Sequence, residues 1–212
     1  MNIKSLLYII GVFFICLSAC NQSNTEIGSL PKPKIEGGKP LMLALKDRAT
    51  TREFSTKDIP LQQLSNLLWA ADGINRPETN GRTAPSGRNK QEIDIYVALK
   101  SGVYLYDYNN SALKKIISED IRSIIGVKDF VKVAPVNLLY VADYNKMGSD
   151  KSSRPSTAVD AAYISENVYL FCASENLATV VLGSINANSI AKKIQLKDYQ
   201  EVMFAQPVGF KK

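Results

Sequence analysis

The side chains best suited to chemistry in this sequence stand together in "LKDRATTREFS", where Arg48, Thr50 and Arg52 occupy alternate positions. A guanidinium group presents a rigid fork of donors and a threonine hydroxyl adds another, so these three side chains could bind a phosphate or a similar anion. The same stretch could instead be an ordinary helix end, because basic residues suit the negative end of the helix dipole. The stretch alone does not decide between the two interpretations.

Histidine is absent from the 212 residues, which excludes Ser-His-Asp and Cys-His catalysis and histidine-based zinc or iron sites. The sequence has no Asp-x-Asp-x-Asp loop and no Gly-x-x-x-x-Gly-Lys phosphate loop, although carboxylate-only metal binding stays open. Cys172 lies in an apolar pattern and is predicted to fill the core rather than to act as a nucleophile. We therefore assign no catalytic side chain and no metal, and expect the chemistry to come from a bound cofactor.

The first twenty residues, "MNIKSLLYIIGVFFICLSAC", combine one early lysine with an apolar run from Leu6 to Leu17. The run is short for a membrane span and is typical of a secretory signal peptide, which we place at 1–19. Its end, Leu17-Ser18-Ala19-Cys20, resembles the lipobox of bacterial lipoproteins, which implies cleavage before Cys20 and acylation of that cysteine; the alternative is a short apolar anchor. We expect an exported, membrane-anchored lipoprotein on the periplasmic face, and Asn21 after the cysteine favours the outer membrane.

Cleavage before Cys20 would leave residues 20–212, and because it removes one lysine the remaining chain has 25 basic and 20 acidic side chains, a net charge of +5. The charge is spread along the chain, which is typical of a soluble surface rather than a nucleic-acid footprint. Residues 20–40 are polar and contain glycine and proline, so they are predicted to form a tether. Residues 41–212 are predicted to form a single domain.

Helical and strand patterns of apolar residues mix along that domain without regular alternation or internal repeats. Helices are predicted over 41–47, 55–73, 119–126 with Ser118 as a possible cap, 156–178 and 188–196. Strands are predicted over 92–99, 103–108, 134–143, 179–185 and 202–210, and a loop over 75–88. The longest helix is expected to turn Val159, Ala162, Tyr163, Val168, Phe171 and Cys172 inward. Together these elements predict an α+β fold with a mainly antiparallel central sheet flanked by helices.

Three stretches, taken in order, resemble the nitroreductase family of flavin enzymes. Arg48 to Phe54 is similar to an opening Arg-x-Ser-x-Arg/Lys-x-Phe element, and Ala84 to Gln91 is similar to an Ala-Pro-Ser-x-x-Asn-x-Gln loop. Leu177 to Gly183, after the long helix through Asn167, resembles the turn and glycine loop that follow. The element "GVYLYDYNNSALKKI" resembles the branch that includes thiazoline and oxazoline peptide dehydrogenases. Each motif alone is weak, but their order and spacing span nearly all of 41–210.

The resemblance implies that Arg48, Thr50 and Arg52 bind flavin mononucleotide (FMN). Arg48 and the Thr50 hydroxyl would hold the phosphate and ribityl groups, where a bidentate charged contact is most useful. Arg52 would lie at the pyrimidine edge of the ring, where a cation stabilises the negative charge of the reduced flavin. Thr50 could alternatively be a simple turn residue.

The other two motifs would contribute further FMN contacts. The resemblance places Pro85, Ser86 and Asn89 at the ring and ribityl, with the Asn89 amide able to reach the pyrimidine edge. It also places the backbone of the last loop against the ring: Leu182, Gly183 and Ser184. From the residues alone, Ser86 could be a cap, Asn89 a self-stabilising loop residue and Gly183 a backbone requirement.

The sequence also departs from the family pattern. Glu92-Ile93 follow Gln91 where nitroreductases usually have Pro-Trp, no Lys-Tyr pair of the azoline-oxidising enzymes occurs, and Lys211 or Lys212 could represent the family's C-terminal basic residues. The resemblance implies a homodimer with FMN at its interface and hydride transfer between flavin N5 and a small nitro, quinone or related substrate. The alternatives are an azoline-type peptide dehydrogenase and a non-catalytic, membrane-anchored flavin- or ligand-binding lipoprotein. The usual family donor, NAD(P)H, is not expected outside the cytoplasm, so the electron donor stays open.

Overall fold

An antiparallel six-stranded sheet organises the computed structural model, which describes residues 28–148 and 151–212. A separate two-stranded hairpin comes first in the chain and contains β1 Ile74–Arg76 and β2 Gly81–Arg82. The strands of the large sheet are β3 Ile93–Leu99, β4 Gly102–Asp107, β5 Ala112–Ile117, β6 Val136–Asp143, β7 Leu177–Thr179 and β8 Gln200–Phe210. They lie in the order β5-β4-β3-β6-β8-β7, and neighbouring strands pair antiparallel throughout. The predicted α+β class and the antiparallel character of the sheet are confirmed.

Helices cover both faces of this sheet. They are α1 Leu41–Asp47, α2 Leu61–Asp72, α3 Arg122–Ile125, α4 Asp129–Val133, α5 Arg154–Ser174 and α6 Ala187–Lys193. Helices α2 and α5 pack with Ile95 and Val97 in one core cluster, whereas α3, α4 and α6 pack with Tyr96 and Ala98 in another. Because successive strand residues point to opposite faces and both faces are covered, the central strands are apolar at nearly every position.

Several predicted elements differ in detail from those observed. The predicted loop 75–88 contains the β1–β2 hairpin, and the helix predicted from Ser118 is the single turn α3, preceded by Ile121 and not capped by a side chain. Asp120 instead accepts a hydrogen bond from the Arg122 backbone N–H. The short helix α4 and the edge strand β5 were not predicted as elements. These elements are too short for a clear period, so their sequences carry little local signal.

The predicted tether is packed against the domain over its described part, residues 28–40. Ser29 pairs with Ala112 at the β5 edge, and Leu30 is buried in the core. Farther along, the Lys34 backbone N–H donates to Asn66 of α2. Residues 1–27, which include the predicted signal peptide and Cys20, lie outside the described residues. Within the described ranges no helix is both long enough and apolar enough to cross a bilayer.

Helix α5 differs from its prediction in the residues that it buries. Val168 and Cys172 are buried as expected, and burial raises the pKa of the Cys172 thiol, which fits a core side chain rather than a nucleophile. Val159, Ala162 and Tyr163 are exposed instead, with Val159 at 50% and Tyr163 at 46%. Three of the six residues predicted to face inward thus form an exposed apolar stripe on α5.

Candidate functional site

The stretch that begins at Arg48 runs along one end of the sheet. Arg48 is the C-terminal cap of α1, where its backbone N–H donates to Ala44 O at 2.8 Å. The chain then continues in extended form, and Thr51 N–H donates to Thr179 O of β7. Phe54 is buried and pairs with Lys211 just after β8. The helix-end interpretation is therefore right about the position of Arg48. The backbone contacts with β7 and Lys211 fix the positions of the residues that follow it.

Tyr169 of α5 connects this stretch to the chain after β7. Its hydroxyl lies 3.1 Å from Thr50 Oγ1 and accepts a hydrogen bond from the Val181 backbone N–H at 3.0 Å. The guanidinium carbon of Arg48 lies 5.4 Å from the centroid of its ring, within the range of a cation–π contact. Tyr169 thus brings together Arg48, Thr50 and the turn that leads to Gly183. The sequence carried no local signal for this role, because its partners are distant along the chain.

Arg52 lines a cavity of about 500 Å³ together with Leu182 and Ser184. The opposite wall is the α3–α4 turn, Gly126 to Lys128, with Phe130 and Val131 of α4. Arg52 is exposed, and its guanidinium has no hydrogen bond or ion pair to any described residue. An unpaired cation beside an apolar cavity is suited to hold negative charge on a ligand.

Gly183 lies between Leu182 and Ser184 in the loop after β7. Its φ angle is not in the left-handed region, and an added Cβ would lie 3.9 Å from the Phe204 ring, an ordinary contact. Neither the backbone conformation nor the chain's own packing therefore requires glycine here. The interpretation of Gly183 as a backbone requirement is not supported, and the missing side chain would permit close approach of a ligand.

The loop that carries Pro85, Ser86 and Asn89 contains backbone strain. Arg88, Asn89 and Gln91 all have φ near +50°, in the left-handed region that non-glycine residues rarely adopt. Such conformations cost about 1–3 kcal/mol each and are concentrated at functional sites. Ser86 Oγ accepts from the Gln91 backbone N–H, and Asn89 Oδ1 accepts from the Gln91 side chain, so both predicted contacts also stabilise their own loop.

Two acidic side chains lie beneath this loop. Asp160 of α5 accepts a hydrogen bond from the Gly87 backbone N–H at 2.8 Å. Glu92 is fully buried, and neither of its carboxylate oxygens has a hydrogen-bond partner among the described residues. Burial, followed by the nearby Asp160 carboxylate, raises the pKa of Glu92 to about 6. Glu92 is the residue at which the sequence departs from the usual Pro-Trp, and sequence reasoning gave it no role.

An ion pair holds the start of the same loop. Arg82 donates to Asp72 of α2 at 2.7 Å, with both side chains largely buried. The guanidinium also stacks on the ring of Tyr108, 3.7 Å from the centroid. Burial raises the pKa of Asp72 to about 7, although the charge of Arg82 and its hydrogen bond act in the opposite direction. The hairpin and the loop are thereby anchored to α2 and the sheet.

Within one chain, the predicted site residues form two separate groups. The first group gathers around Tyr169 and the cavity: Arg48, Thr50, Arg52, Leu182, Gly183 and Ser184. The second, Pro85, Ser86 and Asn89, lies at Asp160. Asp160 and Tyr169 are nine residues apart on α5, which corresponds to about 14 Å along the axis and to opposite sides of the helix. The cavity beside Arg52 is lined by Arg52, Leu182 and Ser184 of the first group and by none of the second.

The first group matches the chemistry of a phosphorylated, planar cofactor such as FMN. Arg48 and Thr50 supply donors for phosphate or hydroxyl groups, and the unpaired Arg52 supplies a cation for an electron-rich ring edge. The missing side chain at Gly183 would let a flat ring approach the backbone closely. Within the described residues, no group of three acidic or cysteine side chains could hold a metal ion.

Comparison with known proteins points the same way. The nitroreductase family model matches residues 45–210. A provisionally named nitroreductase of Ralstonia eutropha JMP134, known from its crystal structure, is 37% identical with a TM-score of 0.84, and the match covers all of this chain and 98% of that one. A provisionally named nitroreductase of Methanocaldococcus jannaschii is 28% identical over 77% of this chain and 87% of its own length. A nitroreductase family protein of Clostridium novyi NT shares the fold at 21% identity and a TM-score of 0.60, over 82% of this chain and 86% of that one.

Proposed function

The chain belongs to the nitroreductase family, and from that premise we propose that it is an FMN-dependent oxidoreductase acting on a small organic substrate such as a nitro compound or a quinone. Family membership supports an oxidoreductase of flavin type in general. The observation that carries the finer proposal is the group around Tyr169, where Arg48, Thr50 and the backbone near Gly183 lie beside the unpaired Arg52.

In this proposal the residues of the chain bind and orient, and the bound FMN supplies the hydride chemistry at its N5. Arg48 and Thr50 hold the phosphate and ribityl groups, with Tyr169 fixing the Thr50 hydroxyl. Arg52 would hold the pyrimidine edge, where its charge would favour reduced over oxidised flavin. Gly183 permits the ring to approach the backbone. No acid or nucleophile of the protein is needed for hydride transfer, in agreement with a chain that has no histidine.

We further propose a homodimer in which the second copy completes the cofactor site. Apolar side chains are exposed on α1 and on α5, two helices that contact each other, and these side chains are called here the α1–α5 surface: Leu41, Met42, Leu43, Leu45, Val159 and Tyr163. Groups of exposed apolar side chains mark interaction surfaces. Because the Pro85–Asn89 loop is separate from the Arg48 group within one chain, its contacts to FMN would come from the partner subunit.

The proposal is tested by an absorption spectrum of the purified chain, followed by anaerobic reduction and addition of an oxidising substrate. We expect a bound flavin that is reduced by dithionite and reoxidised by a nitro compound or a quinone under nitrogen. A flavin that no acceptor reoxidises would support the non-catalytic alternative. A chain that binds no flavin would contradict the proposed function.

We also propose that the chain is an exported lipoprotein acylated at Cys20, most readily placed at the outer membrane. The support is the sequence Leu17-Ser18-Ala19-Cys20 after an apolar run. Replacing Cys20 by alanine should leave an unprocessed precursor that does not incorporate labelled palmitate, whereas the parent is labelled and partitions into detergent. Equal labelling of parent and variant would refute this proposal.

A further inference from the structure

The α3–α4 turn and the loop after β7 form facing walls of the cavity beside Arg52. A Cβ added to Gly126 would lie 3.8 Å from Ser184 O and 3.9 Å from Leu182 Cδ1, so the turn touches the loop. Phe130 continues the apolar wall, and its ring lies 6.1 Å from that of the buried Phe54. The cavity therefore offers an apolar surface fixed from behind by the core.

Among the residues that the structure describes, the charged side chains lining this cavity are both cationic, Arg52 and Lys128, and none of the described lining residues is a carboxylate. Lys128 is exposed and makes no side-chain hydrogen bond or ion pair within the described part of the chain. Two uncompensated cations beside an apolar wall raise the local concentration of anions.

Neighbouring cations on the same two helices are compensated, which makes Lys128 unlike them. Arg122 of α3 pairs with Asp120 at 2.8 Å, and Lys132 of α4 pairs with Asp129 at 2.7 Å. Asp129 directly follows Lys128 in sequence but is engaged by Lys132. The acidic residues Asp120 and Asp129 are thus paired with other cations, and the ammonium group of Lys128 has no acidic partner among the described residues.

We propose that this cavity selects small aromatic or conjugated organic acids and that Lys128 determines the selectivity by binding their carboxylate. The inference rests on the proposed function, because Arg52 is then occupied by the flavin edge and Lys128 is the cation left for the substrate. A compact ammonium on a flexible stem can reach a carboxylate at variable depth. Phe130, Val131 and Leu182 contact the apolar body of the substrate.

Binding is measured first, with benzoate and benzyl alcohol as non-reducible probes, by calorimetry on the FMN-loaded full chain. Lys128→Ala should raise the dissociation constant of benzoate about fivefold, the upper end for an exposed ion pair, and leave that of benzyl alcohol unchanged. Lys128→Glu should weaken benzoate further, and added salt should reduce the difference between parent and variant. Lys115→Ala, which removes an exposed lysine of β5 outside the cavity, is the matched control.

Turnover is measured second, as reoxidation under nitrogen of the photochemically reduced, FMN-loaded chain by para-nitrobenzoate or para-nitrobenzyl alcohol. KM and kcat are here the half-saturating substrate concentration and the limiting rate constant. In each reaction the nitro group takes two electrons and two protons from the reduced flavin and becomes a nitroso group and water. Lys128→Ala should raise KM for the acid without changing kcat, and should leave both parameters unchanged for the alcohol. This separates a binding role from a general loss of activity.

The outcomes distinguish this inference from the proposed function. A chain without FMN refutes the proposed function and also the inference that rests on it, because Arg52 would then be free to bind the carboxylate in place of Lys128. If FMN binds but Lys128→Ala changes neither benzoate affinity nor KM, the selectivity is refuted while the oxidoreductase stands. If Lys128→Ala instead weakens FMN itself, the cavity belongs to the cofactor and the proposal is wrong.

Discussion

At the scale of single residues, Arg48 has both a local role as the end of helix α1 and a tertiary contact with Tyr169. Locally it ends α1, and in the folded chain its guanidinium lies over Tyr169, next to the Thr50 hydroxyl. A cation held against an aromatic ring keeps a defined direction while its N–H donors remain available. This arrangement suits a phosphate ligand better than a flexible surface arginine would.

Arg48→Ala is expected to weaken FMN binding by about 1.5–3 kcal/mol, the range for a hydrogen bond to a charged group, or tenfold and more in the dissociation constant. Arg48→Lys keeps the charge but loses the bidentate fork, so its affinity should lie between those of the parent and the alanine variant. Fluorescence titration of flavin into the apoproteins measures both changes. Equal FMN affinity in all three proteins would show that Arg48 only ends helix α1 and does not bind the cofactor.

Glu92 is a second residue whose position gives a testable property. Its pKa is raised from 4.5 to about 6 in the folded chain, mainly because burial disfavours the charged carboxylate. Between these two values the folded state binds more protons than the unfolded state. The free energy of unfolding is therefore expected to fall as pH rises through this window, by about 1–2 kcal/mol in total.

Glu92→Gln removes the titrating group, so the free energy of unfolding should depend less on pH in this window. The stability of the variant relative to the parent should therefore increase as pH rises from 4.5 to 6. Denaturant unfolding at several pH values measures the difference between the two proteins. Asp72, whose pKa is also raised, contributes equally to both and cancels in the comparison. Identical pH profiles would show that Glu92 titrates as an ordinary exposed carboxyl.

At the scale of elements, the β3–β4 turn shows how one position can require glycine. Gly102 has a φ of +134°, and an added Cβ would clash with Ile117 O of the neighbouring strand β5. The turn therefore needs both the backbone freedom of glycine and the space that its missing side chain leaves. Pairing of β3, β4 and β5 depends on this position.

Gly102→Ala is expected to destabilise the fold by more than the roughly 1–3 kcal/mol of backbone strain alone, because the clash with a strand carbonyl adds to it. Gly37→Ala is the matched control, since Gly37 has a φ of +99° with no heavy atom within 4 Å of an added Cβ. Thermal and denaturant unfolding of the two variants separates strain from clash. A smaller loss in Gly102→Ala than in Gly37→Ala would contradict the assignment.

At the scale of the whole molecule, the α1–α5 surface and the division of the site residues point to one arrangement. The exposed apolar residues include Met42 at 74% and Tyr163 at 46%, which a second copy would cover. The same association would bring the Pro85–Asn89 loop of one subunit to the Arg48 group of the other. Dimer formation and cofactor binding are therefore expected to be coupled.

The double substitution Met42→Glu and Tyr163→Glu should produce a monomer at concentrations where the parent is a dimer, and should also lower FMN occupancy. Ile116→Glu places the same charge on an exposed apolar residue of β5, outside this surface, and should change neither property. Light scattering and the flavin absorbance of the same samples give both readings. A monomeric double variant with full FMN occupancy would separate the two events.

The sequence by itself determined the elements with a long and regular pattern and the order of the three motifs. Helices α2 and α5, the β3–β4 hairpin and strands β6 and β8 follow from periodicity, because apolar spacing reflects local geometry. The family resemblance named Arg48, Thr50 and Arg52, and the structure brings these three to one end of the sheet. Roles for the individual site residues stay predictions.

Only the tertiary structure decided which residues meet and which apolar faces stay open. Tyr169 contacts Thr50 across 119 positions of sequence, and no local pattern encodes such a contact. Val159 and Tyr163 were predicted to face inward because an apolar stripe looks the same whether the chain's own core or a second copy covers it. The separation of the two groups of site residues likewise depends on the side of α5 that each one contacts, which is fixed only when the helix packs on the sheet.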